Sequence, residues 1–450
     1  MWLRIACVLI VGYLSLSRAF AYLGIPPWNV FIGEAVLVLL FLWGPRSRAG
    51  RWPWVATKLP ELKRFSTWYA LFVGFGIAQV FHGVWEGNPP LIALRDLAFN
   101  YYPMYFFLGL WGGTRRPDLL PRLIRGFAWF NGVYGVLYLL FLDRVEWFVP
   151  GVNREIVPVP IFAQPIYSFV ALLGLMAYEK KLWRSWYLLL LNAFVMLGMQ
   201  FRAEWLAFTV GVVTWCVLTR QGKRLLQTGA ILASLLTLMY LSSFSLTSPQ
   251  SRGEEKFSVR QLTGRALAPF HTDLSNMSLA SGAEGAIPEE ATIAFRTVWW
   301  LAIWDSVHEN PRTWIWGHGY GFPLTDLVPY LRGEFTRTPH NEFFYALGYT
   351  GWVGVILFLV LQAEILRLLW KAKRTTGEPF GAVYWMAAMT YGMFFALCET
   401  PYGAVPFYLI TGWVAAPAIL GNRSAQEKSN PGRVPYQPCA SSSRPAVVSP

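Results

Sequence analysis

Charged and nucleophilic side chains are scarce in this sequence of 450 residues. Asp, Glu, Lys and Arg together make up 14% of it, and there are only five histidines, whereas hydrophobic residues make up 55%. A typical soluble domain has about 25% charged residues. The composition therefore excludes an ordinary soluble enzyme and predicts a polytopic membrane protein.

Cysteine is also rare. The four cysteines show neither the spacing of metal ligands nor that of a disulfide framework, and they are Cys7, Cys216, Cys398 and Cys439. We therefore expect no metal site and no disulfide scaffold.

Twelve apolar stretches of about the length of a membrane-crossing helix recur along the chain. A bilayer core about 30 Å thick needs roughly 20 apolar residues in a helix. The predicted spans are 4–23, 27–44, 66–84, 93–112, 126–142, 161–178, 185–200, 204–219, 225–242, 343–370, 380–398 and 403–420. The predicted fold class is all-α.

The distribution of cations predicts the orientation, because Lys and Arg in short loops stay on the cytoplasmic side. Nineteen Lys and Arg lie in one set of loops, which are 45–65, 113–125, 179–184, 220–224 and 371–378. The alternate short loops hold four, Arg95, Arg144, Arg154 and Arg202. Both termini are therefore predicted inside. The net charge of +13 fits this bias and contact with anionic membrane lipids, and we expect no nucleic-acid partner.

Four regions follow from this topology. We predict transmembrane helices 1–9 in residues 1–242, one large periplasmic loop with amphipathic helices in 243–340, and transmembrane helices 10–12 in 341–421. The tail 422–450, rich in Ser and Pro, is predicted to be a disordered cytoplasmic end.

The first apolar stretch has an alternative interpretation as a signal peptide. Arg4 precedes the apolar run, and Ala19-Phe20-Ala21 imitates a cleavage site. Arg18 fits badly beside such a site, and the apolar character continues to Leu23, which favours a retained helix. The remaining topology is the same in either case.

Ionisable side chains near the spans are the first candidates for function, because each costs a few kcal/mol in a bilayer unless it is solvated or paired. They are Glu34, Arg95, Asp96, Arg202, Glu204 and Glu364. For Arg95 and Asp96 we favour structural ion pairs. Arg202 lies in the very short outer turn 200–205, on the same side as the large loop, where a snorkelling anchor and a ligand role are both open.

The large loop contains a predicted amphipathic helix. It begins with Pro288-Glu289-Glu290 and ends at Asn310-Pro311. Arg296 lies within it beside Trp299 and Trp300, whose rings are suited to hold a guanidinium by stacking. A rim arginine at the headgroup level is the alternative.

A glycine motif follows, with Gly317, Gly319 and Gly321. It is not a nucleotide-binding loop, since no Lys-Ser/Thr follows and no βαβ pattern surrounds it. We predict a tight extracellular turn whose backbone N–H groups are free to meet an anion.

The last motif begins at His340-Asn341, directly before an apolar span. Gly348, Gly351 and Gly354 recur every three residues after it, which predicts a helical stripe that another helix can approach closely. Taken alone, a histidine at this place is more typical of a loop or a cap.

Together these motifs resemble the O-antigen ligase and O-antigen polymerase superfamily. His340-Asn341 with Gly351 and Gly354 resembles its histidine motif, residues 201–207 resemble its arginine motif, and Arg296 with the glycine motif resembles its loop signature. The resemblance is detailed over about 190–370 and rests on topology elsewhere. One departure is Glu204, where a smaller residue is common, so that its carboxylate is expected to neutralise part of the Arg202 charge.

The resemblance implies a GT-C-like membrane glycosyltransferase in the bacterial inner membrane, with its active site on the periplasmic side. Its donor would be a glycan on undecaprenyl diphosphate, and its acceptor lipid A-core or another glycan. His340 would be the catalytic base, and Arg202 and Arg296 would bind the diphosphate. No cofactor or metal is expected, since the sequence lacks the Asp-x-Asp pair common among metal-dependent enzymes of this class.

Three alternatives stay open at this point. A polymerase would extend another repeat unit, and a protein O-oligosaccharyltransferase would use a Ser or Thr acceptor, both with the same donor chemistry. A transporter or flippase for lipid-linked glycan belongs to a different class and would be expected to show buried midplane charges or related halves. Asparagine-linked oligosaccharyltransferases are set aside, because Trp299-Trp300 does not continue into a Trp-Trp-Asp pattern.

Overall fold

The computed structural model describes residues 1–25, 30–47, 50–51, 59–149, 159–179, 181–220, 222–242, 246–247, 256–257, 289–328 and 338–419. Most of the first part of the predicted large loop, residues 243–288, and the predicted tail 422–450 lie outside these ranges. Within them the chain is almost entirely helical, which confirms the all-α prediction. The strands are three two-residue antiparallel pairs, Gly24–Ile25 with Val30–Phe31, Arg46–Ser47 with Gly50–Arg51, and Leu246–Thr247 with Lys256–Phe257.

In the first half of the chain, the described residues form eight α-helices. They are α1 (Trp2–Ala21), α2 (Ile32–Trp43), α3 (Lys63–Trp85), α4 (Pro90–Asp96), α5 (Ala98–Tyr101), α6 (Tyr105–Arg115), α7 (Leu119–Leu140) and α8 (Ser168–Tyr178). Four 3₁₀ turns join or flank them, Pro60–Leu62, Tyr102–Met104, Leu142–Arg144 and Leu182–Ser185. The predicted span 93–112 is therefore not one helix: Pro103 removes a backbone donor, and the chain passes from α4 through α5 to α6 in short pieces.

The second half forms the remaining α-helices of the described chain. They are α9 (Trp186–Met199), α10 (Arg202–Thr219), α11 (Gly222–Leu241), α12 (Glu289–His308), α13 (Pro311–Trp316), α14 (Glu342–Thr376), α15 (Phe380–Gly392) and α16 (Pro401–Ala415). A 3₁₀ turn, Leu324–Leu327, follows α13. The helix predicted between Pro288 and Asn310 is confirmed as α12.

Every predicted span overlaps a helix, and six helical segments of the described chain are long and apolar enough to cross a membrane. These are Trp2–Ala21, Pro60–Trp85, Leu119–Leu140, Leu182–Met199, Glu342–Thr376 and Pro401–Ile419. The chain is accordingly described as a helical membrane protein. Twelve crossings and the position of the large loop stay predictions.

Close packing between α6 and α16 depends on glycines, which have no side chain. Gly109 of α6 lies against the main-chain oxygen of Leu409, and Gly412 of α16 lies against that of Phe106, so a Cβ at either glycine would collide with backbone. The two helices therefore approach at backbone contact, as small residues allow between membrane helices. The first helix also belongs to this core, since Leu9, Ile10 and Tyr13 are fully buried.

The ends of several helices meet at one end of the bundle. There α9 ends and α10 begins around Arg202, α14 begins after His340, and α15 and α16 are joined by the turn 393–400. The helix α12 packs against α14, with Trp299, Ile303 and Val307, which follow each other at intervals of four, fully buried. This end of the bundle carries the predicted motifs.

Candidate functional site

His340 sits just before α14 in a conformation that few side chains adopt. Its φ is +52°, in the left-handed region, and its Nδ1 lies 3.5 Å from Thr338 Oγ1. The imidazole lies over the ring of Phe395, with centroids 6.0 Å apart and planes inclined by 25°. Burial first, and then the nearby charges of Arg296 and Arg18, lower the pKa of His340 to about 3. The ring is therefore neutral near pH 7 and able to accept a proton.

Asn341 fixes the start of α14 and thereby the place of the histidine. Its Oδ1 accepts hydrogen bonds from the backbone N–H groups of Phe343 at 2.9 Å and Phe344 at 3.2 Å, which is an N-cap. Its Nδ2 donates to the main-chain oxygen of Met393 at 3.0 Å. One amide thus closes the helix end and ties it to the turn 393–400.

That turn is the common support of the site. The main-chain oxygen of Phe394 accepts a 3.0 Å hydrogen bond from Arg296 Nη1, the ring of Phe395 lies under His340, and the same ring contacts Phe201 edge-on, with centroids 6.4 Å apart. Phe201 precedes Arg202, the first residue of α10. The turn therefore contacts all three predicted motifs.

A buried carboxylate holds the turn in shape. Glu342 Oε1 accepts hydrogen bonds from the backbone N–H groups of Leu397 and Cys398, both at 2.6 Å. A carboxylate that accepts two backbone N–H groups is a strong anchor in a buried place. The first residue of α14 thus has a structural role.

The two predicted diphosphate ligands lie close to each other. Burial lowers the pKa of the Arg296 guanidinium, and the charge of Arg202 lowers it further. Both residues keep part of their surface exposed. Within the described ranges neither side chain forms a salt bridge with a carboxylate. Two cations within electrostatic range of each other in a partly dry place form a site suited to an anion with more than one charge.

The structure thus brings Arg202, Arg296 and His340 together from separate stretches of the chain. This cluster lies inside a segment with known relatives. Residues 187–359 match the family model of O-antigen ligase. The predicted resemblance to the O-antigen ligase and polymerase superfamily is thereby confirmed.

A curated relative agrees with the O-antigen ligase match. The O-antigen ligase of Salmonella typhimurium is 25% identical over 236 residues, which are 49% of this chain and 50% of that protein. The chain therefore spans about half the length of this curated relative.

Within the matched segment 187–359, the glycine motif serves to dock the loop. Gly317, Gly319 and Gly321 have φ values of +69°, +78° and +88°. Gly319 N–H donates to the main-chain oxygen of Tyr349, and Gly321 N–H donates to Asp96 Oδ2 at 2.9 Å. The N–H groups that we expected to be free for an anion are therefore occupied, and that expectation is wrong. They are used because the loop is pressed onto α3 and α14.

Of the small residues after His340, Gly348 and Gly351 receive the loop, whereas Gly354 lies against its own helix and Phe75 of α3. Gly351 has φ +60° and breaks the helical geometry inside α14, and a Cβ there would lie 2.4 Å from the main-chain oxygen of Ile315. A Cβ at Gly348 would meet the side chain of Leu324, and one at Gly354 would meet Thr350 of its own helix. The predicted continuous stripe is therefore wrong, because the bend at Gly351 turns successive residues to different neighbours.

Two further expectations are corrected. Glu204 Oε1 accepts from the backbone N–H of Ser168 at 3.3 Å, and the side chain is fully buried, so it caps α8 and does not neutralise Arg202. The indoles beside Arg296 bind backbone: Trp299 Nε1 donates to Leu324 O at 2.9 Å, and Trp300 Nε1 donates to Pro339 O at 2.8 Å. These two hydrogen bonds hold α12 to the 3₁₀ turn Leu324–Leu327 and to the segment before His340.

Two parts of the site were missed by sequence reasoning, and both lie outside the matched segment 187–359. Arg18, at the end of α1, is near enough to lower the pKa of His340. The turn 393–400 was predicted to be mostly span. The sequence signal for the turn was Glu399-Thr400-Pro401, an acid and a helix-starting proline at the end of an apolar stretch.

Proposed function

We propose that this chain is a membrane glycosyltransferase of the O-antigen ligase type. It would move a glycan from undecaprenyl diphosphate to an acceptor hydroxyl at the periplasmic face of the bacterial inner membrane, without a metal ion and with inversion. The observation that carries the proposal is the position of a neutral imidazole, His340, beside the adjoining guanidinium groups of Arg296 and Arg202.

The leaving group explains the need for two arginines. When the bond between the anomeric carbon and the diphosphate oxygen breaks, its electron pair stays on undecaprenyl diphosphate, and negative charge develops there. Guanidinium groups accept such charge through paired hydrogen bonds in a partly dry site. Arg202 and Arg296 are the ligands proposed for this diphosphate, in the place of a metal ion.

The nucleophile explains the need for the histidine. The oxygen of the acceptor hydroxyl forms the new bond to the anomeric carbon, and its proton must leave as the bond forms. A neutral imidazole accepts that proton in the transition state. Attack from the side opposite to the diphosphate inverts the anomeric centre. His340 thereby becomes an imidazolium, which returns its proton to solvent after the product leaves.

The bound donor would also adjust the base. Arg296 and Arg18 help to depress the pKa of His340 in the free protein. A diphosphate on Arg296 offsets part of this positive field, so the pKa of the imidazole rises as the donor binds. The base would be strengthened in the complex in which it is needed.

The topology proposed from the cation distribution agrees with the place of these residues. Arg202 begins α10, His340 precedes α14, and the turn 393–400 follows α15. Each of these three helix ends was predicted to face the periplasm. Undecaprenyl diphosphate would reach the cluster from the outer leaflet, with the prenyl chain left in the lipid.

Ligation to lipid A-core is the preferred reaction, since the matched family and the Salmonella typhimurium relative are both O-antigen ligases. A polymerase and a protein O-oligosaccharyltransferase share the donor chemistry, whereas a flippase would form no glycosidic bond. The test uses the purified full-length protein and one carrier-linked glycan, offered to lipid A-core, to a second carrier-linked unit and to a Ser-containing peptide. Transfer to lipid A-core, unaffected by EDTA, is expected.

Three outcomes would change this conclusion. Extension of the second carrier-linked unit alone would indicate a polymerase, and transfer to the peptide alone would indicate a protein glycosyltransferase. Movement of carrier-linked glycan across vesicles, without transfer to any of the acceptors, would favour a flippase and remove the enzyme proposal.

A further inference from the structure

A third guanidinium, that of Arg18, belongs to the same cluster. It comes from the last turn of α1, far from His340 along the sequence. The helix α1 packs against α16, and Arg18 lies within electrostatic range of Tyr402 in the first turn of α16. The ring of Tyr402 contacts that of Phe395, with centroids 6.3 Å apart, and Phe395 lies under His340. Tyr402 and Phe395 thus link α16, against which the helix of Arg18 packs, to the base.

The backbone before Arg18 is strained. Ser17 has φ +43° and ψ −116°, a conformation unfavourable for a residue with a Cβ, although it lies inside α1 and is buried. Such outliers are unfavourable and are kept where the surrounding structure enforces them, commonly at functional sites. The break separates Arg18 from the regular helix. Its neighbours Ser17 and Ala19 are buried, while Arg18 itself is exposed.

Three arginines influence the base or each other electrostatically, and His340 is acted on by two of them, Arg296 and Arg18. Arg202 acts on Arg296, Arg296 acts on His340, and Arg18 acts on His340 from its own position on α1. Among the residues that the structure describes, Arg18 forms no salt bridge. An unpaired guanidinium next to a base is suited to an anionic group on a substrate.

The positions of the three arginines relative to His340 indicate which substrate carries the anionic group at Arg18. The donor diphosphate is proposed at Arg202 and Arg296, and His340 must touch the attacking hydroxyl. A group bound at Arg18 is then held by a different guanidinium beside the attacking hydroxyl, which belongs to the acceptor. We propose that Arg18 binds an anionic group of the acceptor, a phosphate or a carboxylate close to the accepting sugar hydroxyl. This inference rests on the proposed glycosyl transfer.

The test compares Arg18→Ala with Arg4→Ala in the purified full-length protein. Arg4 is an exposed arginine of the same helix, 14 residues away, roughly 21 Å along the helix axis. Rates are measured with the carrier-linked donor and lipid A-core, each varied in turn. Arg18→Ala is expected to raise the acceptor KM about tenfold, the loss of one charge-assisted hydrogen bond, while the donor KM stays the same. Arg4→Ala is expected to leave both KM values unchanged.

Chemical removal of the phosphates from lipid A-core identifies the anion. If wild-type protein loses acceptor affinity on dephosphorylation and Arg18→Ala loses no more, the group is a phosphate. If Arg18→Ala raises the acceptor KM equally for both acceptors, the group is a carboxylate. Both results support the inference. Arg18→Lys, which keeps the charge, is expected to recover part of the affinity and serves as the second variant if Arg18→Ala does not fold.

The inference is overturned if Arg18→Ala raises the donor KM alone, which would place Arg18 with the diphosphate ligands. It is also overturned if both KM values are unchanged, or if only kcat falls, since a supporting role would suffice. These results differ from a failure of the proposed function, in which the wild-type protein itself transfers no glycan to any acceptor.

Discussion

Arg296 Nη1 donates a 3.0 Å hydrogen bond to the main-chain oxygen of Phe394. This bond joins a helix of the large loop to the turn between α15 and α16, and the next residue of that turn supports the imidazole of His340. Toward the described part of the chain this is the guanidinium's one hydrogen bond, and we propose its other N–H groups for a ligand. The proposed anion ligand and the proposed base are thus held by two adjacent residues.

Asn341 allows the cap and the link to the turn to be separated. Asn341→Ala removes both, and we expect a loss of about 1 to 2 kcal/mol of stability together with a large fall in kcat. Asn341→Ser keeps a cap oxygen but lacks the amide N–H group that donates to Met393 O, so its stability should stay near that of the wild type while kcat still falls. Thermal unfolding and initial rates measure the two effects. Full activity of Asn341→Ser would show that the link to the turn is unnecessary.

Arg202→Lys tests whether the fork of the guanidinium is needed. The ammonium group keeps the charge but cannot form paired parallel hydrogen bonds to a diphosphate. We expect activity to fall at least tenfold. Arg144→Lys is the matched control, because Arg144 is an exposed arginine in another loop predicted to face the periplasm, and it should retain wild-type rates. Equal rates for Arg202→Lys and wild type would remove the argument for a bidentate contact.

The pH dependence of kcat/KM reports the base in the free protein. His340 works as a base only when it is neutral, and its pKa is lowered to about 3. The neutral form therefore dominates from pH 7 down to about pH 4, and protonation of His340 should not reduce kcat/KM between pH 7 and pH 5. In the donor complex its pKa is higher, so the acid limb of kcat should lie at a higher pH than that of kcat/KM. A limb of kcat/KM near pH 6.5 would contradict this environment.

The docking of the glycine motif predicts a contrast between two glycines of α3. A Cβ at Gly83 would collide with the main-chain oxygen of Tyr320, whereas a Cβ at Gly74 would meet nothing within 4 Å. We expect Gly83→Ala to lower the thermal stability strongly and to reduce activity, because the loop that carries the glycine motif could no longer pack against α3. Gly74→Ala should behave like the wild type. A stable and active Gly83→Ala protein would refute the close contact.

Local signals in the sequence were sufficient for the helices and for three of the site's groups. Proline and acids marked the start of α12, Asn310-Pro311 marked its end, and the motifs singled out Arg202, Arg296 and His340. The break at Gly351 was not predictable, because its cause is a backbone contact with Ile315, distant in sequence. The same holds for the orientation of Glu204, which is determined by the free N–H of Ser168 at the start of another helix.

Arg18 and the turn 393–400 could not be predicted from the sequence for a different reason. An arginine at the end of an apolar helix is typical of an interface anchor, and nothing near it in the sequence points to His340. Its place in the cluster results from the packing of α1 on α16. Contacts between the first helix and the last ones are properties of the folded bundle.

The central claim is that His340, between its arginines, accepts the proton of the acceptor hydroxyl during glycosyl transfer. It is tested most directly by the transfer rate of purified His340→Ala with the carrier-linked donor and lipid A-core, with His308→Ala as the control for another loop histidine. Loss of a general base is worth about a hundredfold to ten-thousandfold, so His340→Ala should fall by at least a hundredfold while His308→Ala stays active. Transfer by His340→Ala at the wild-type rate would contradict the account.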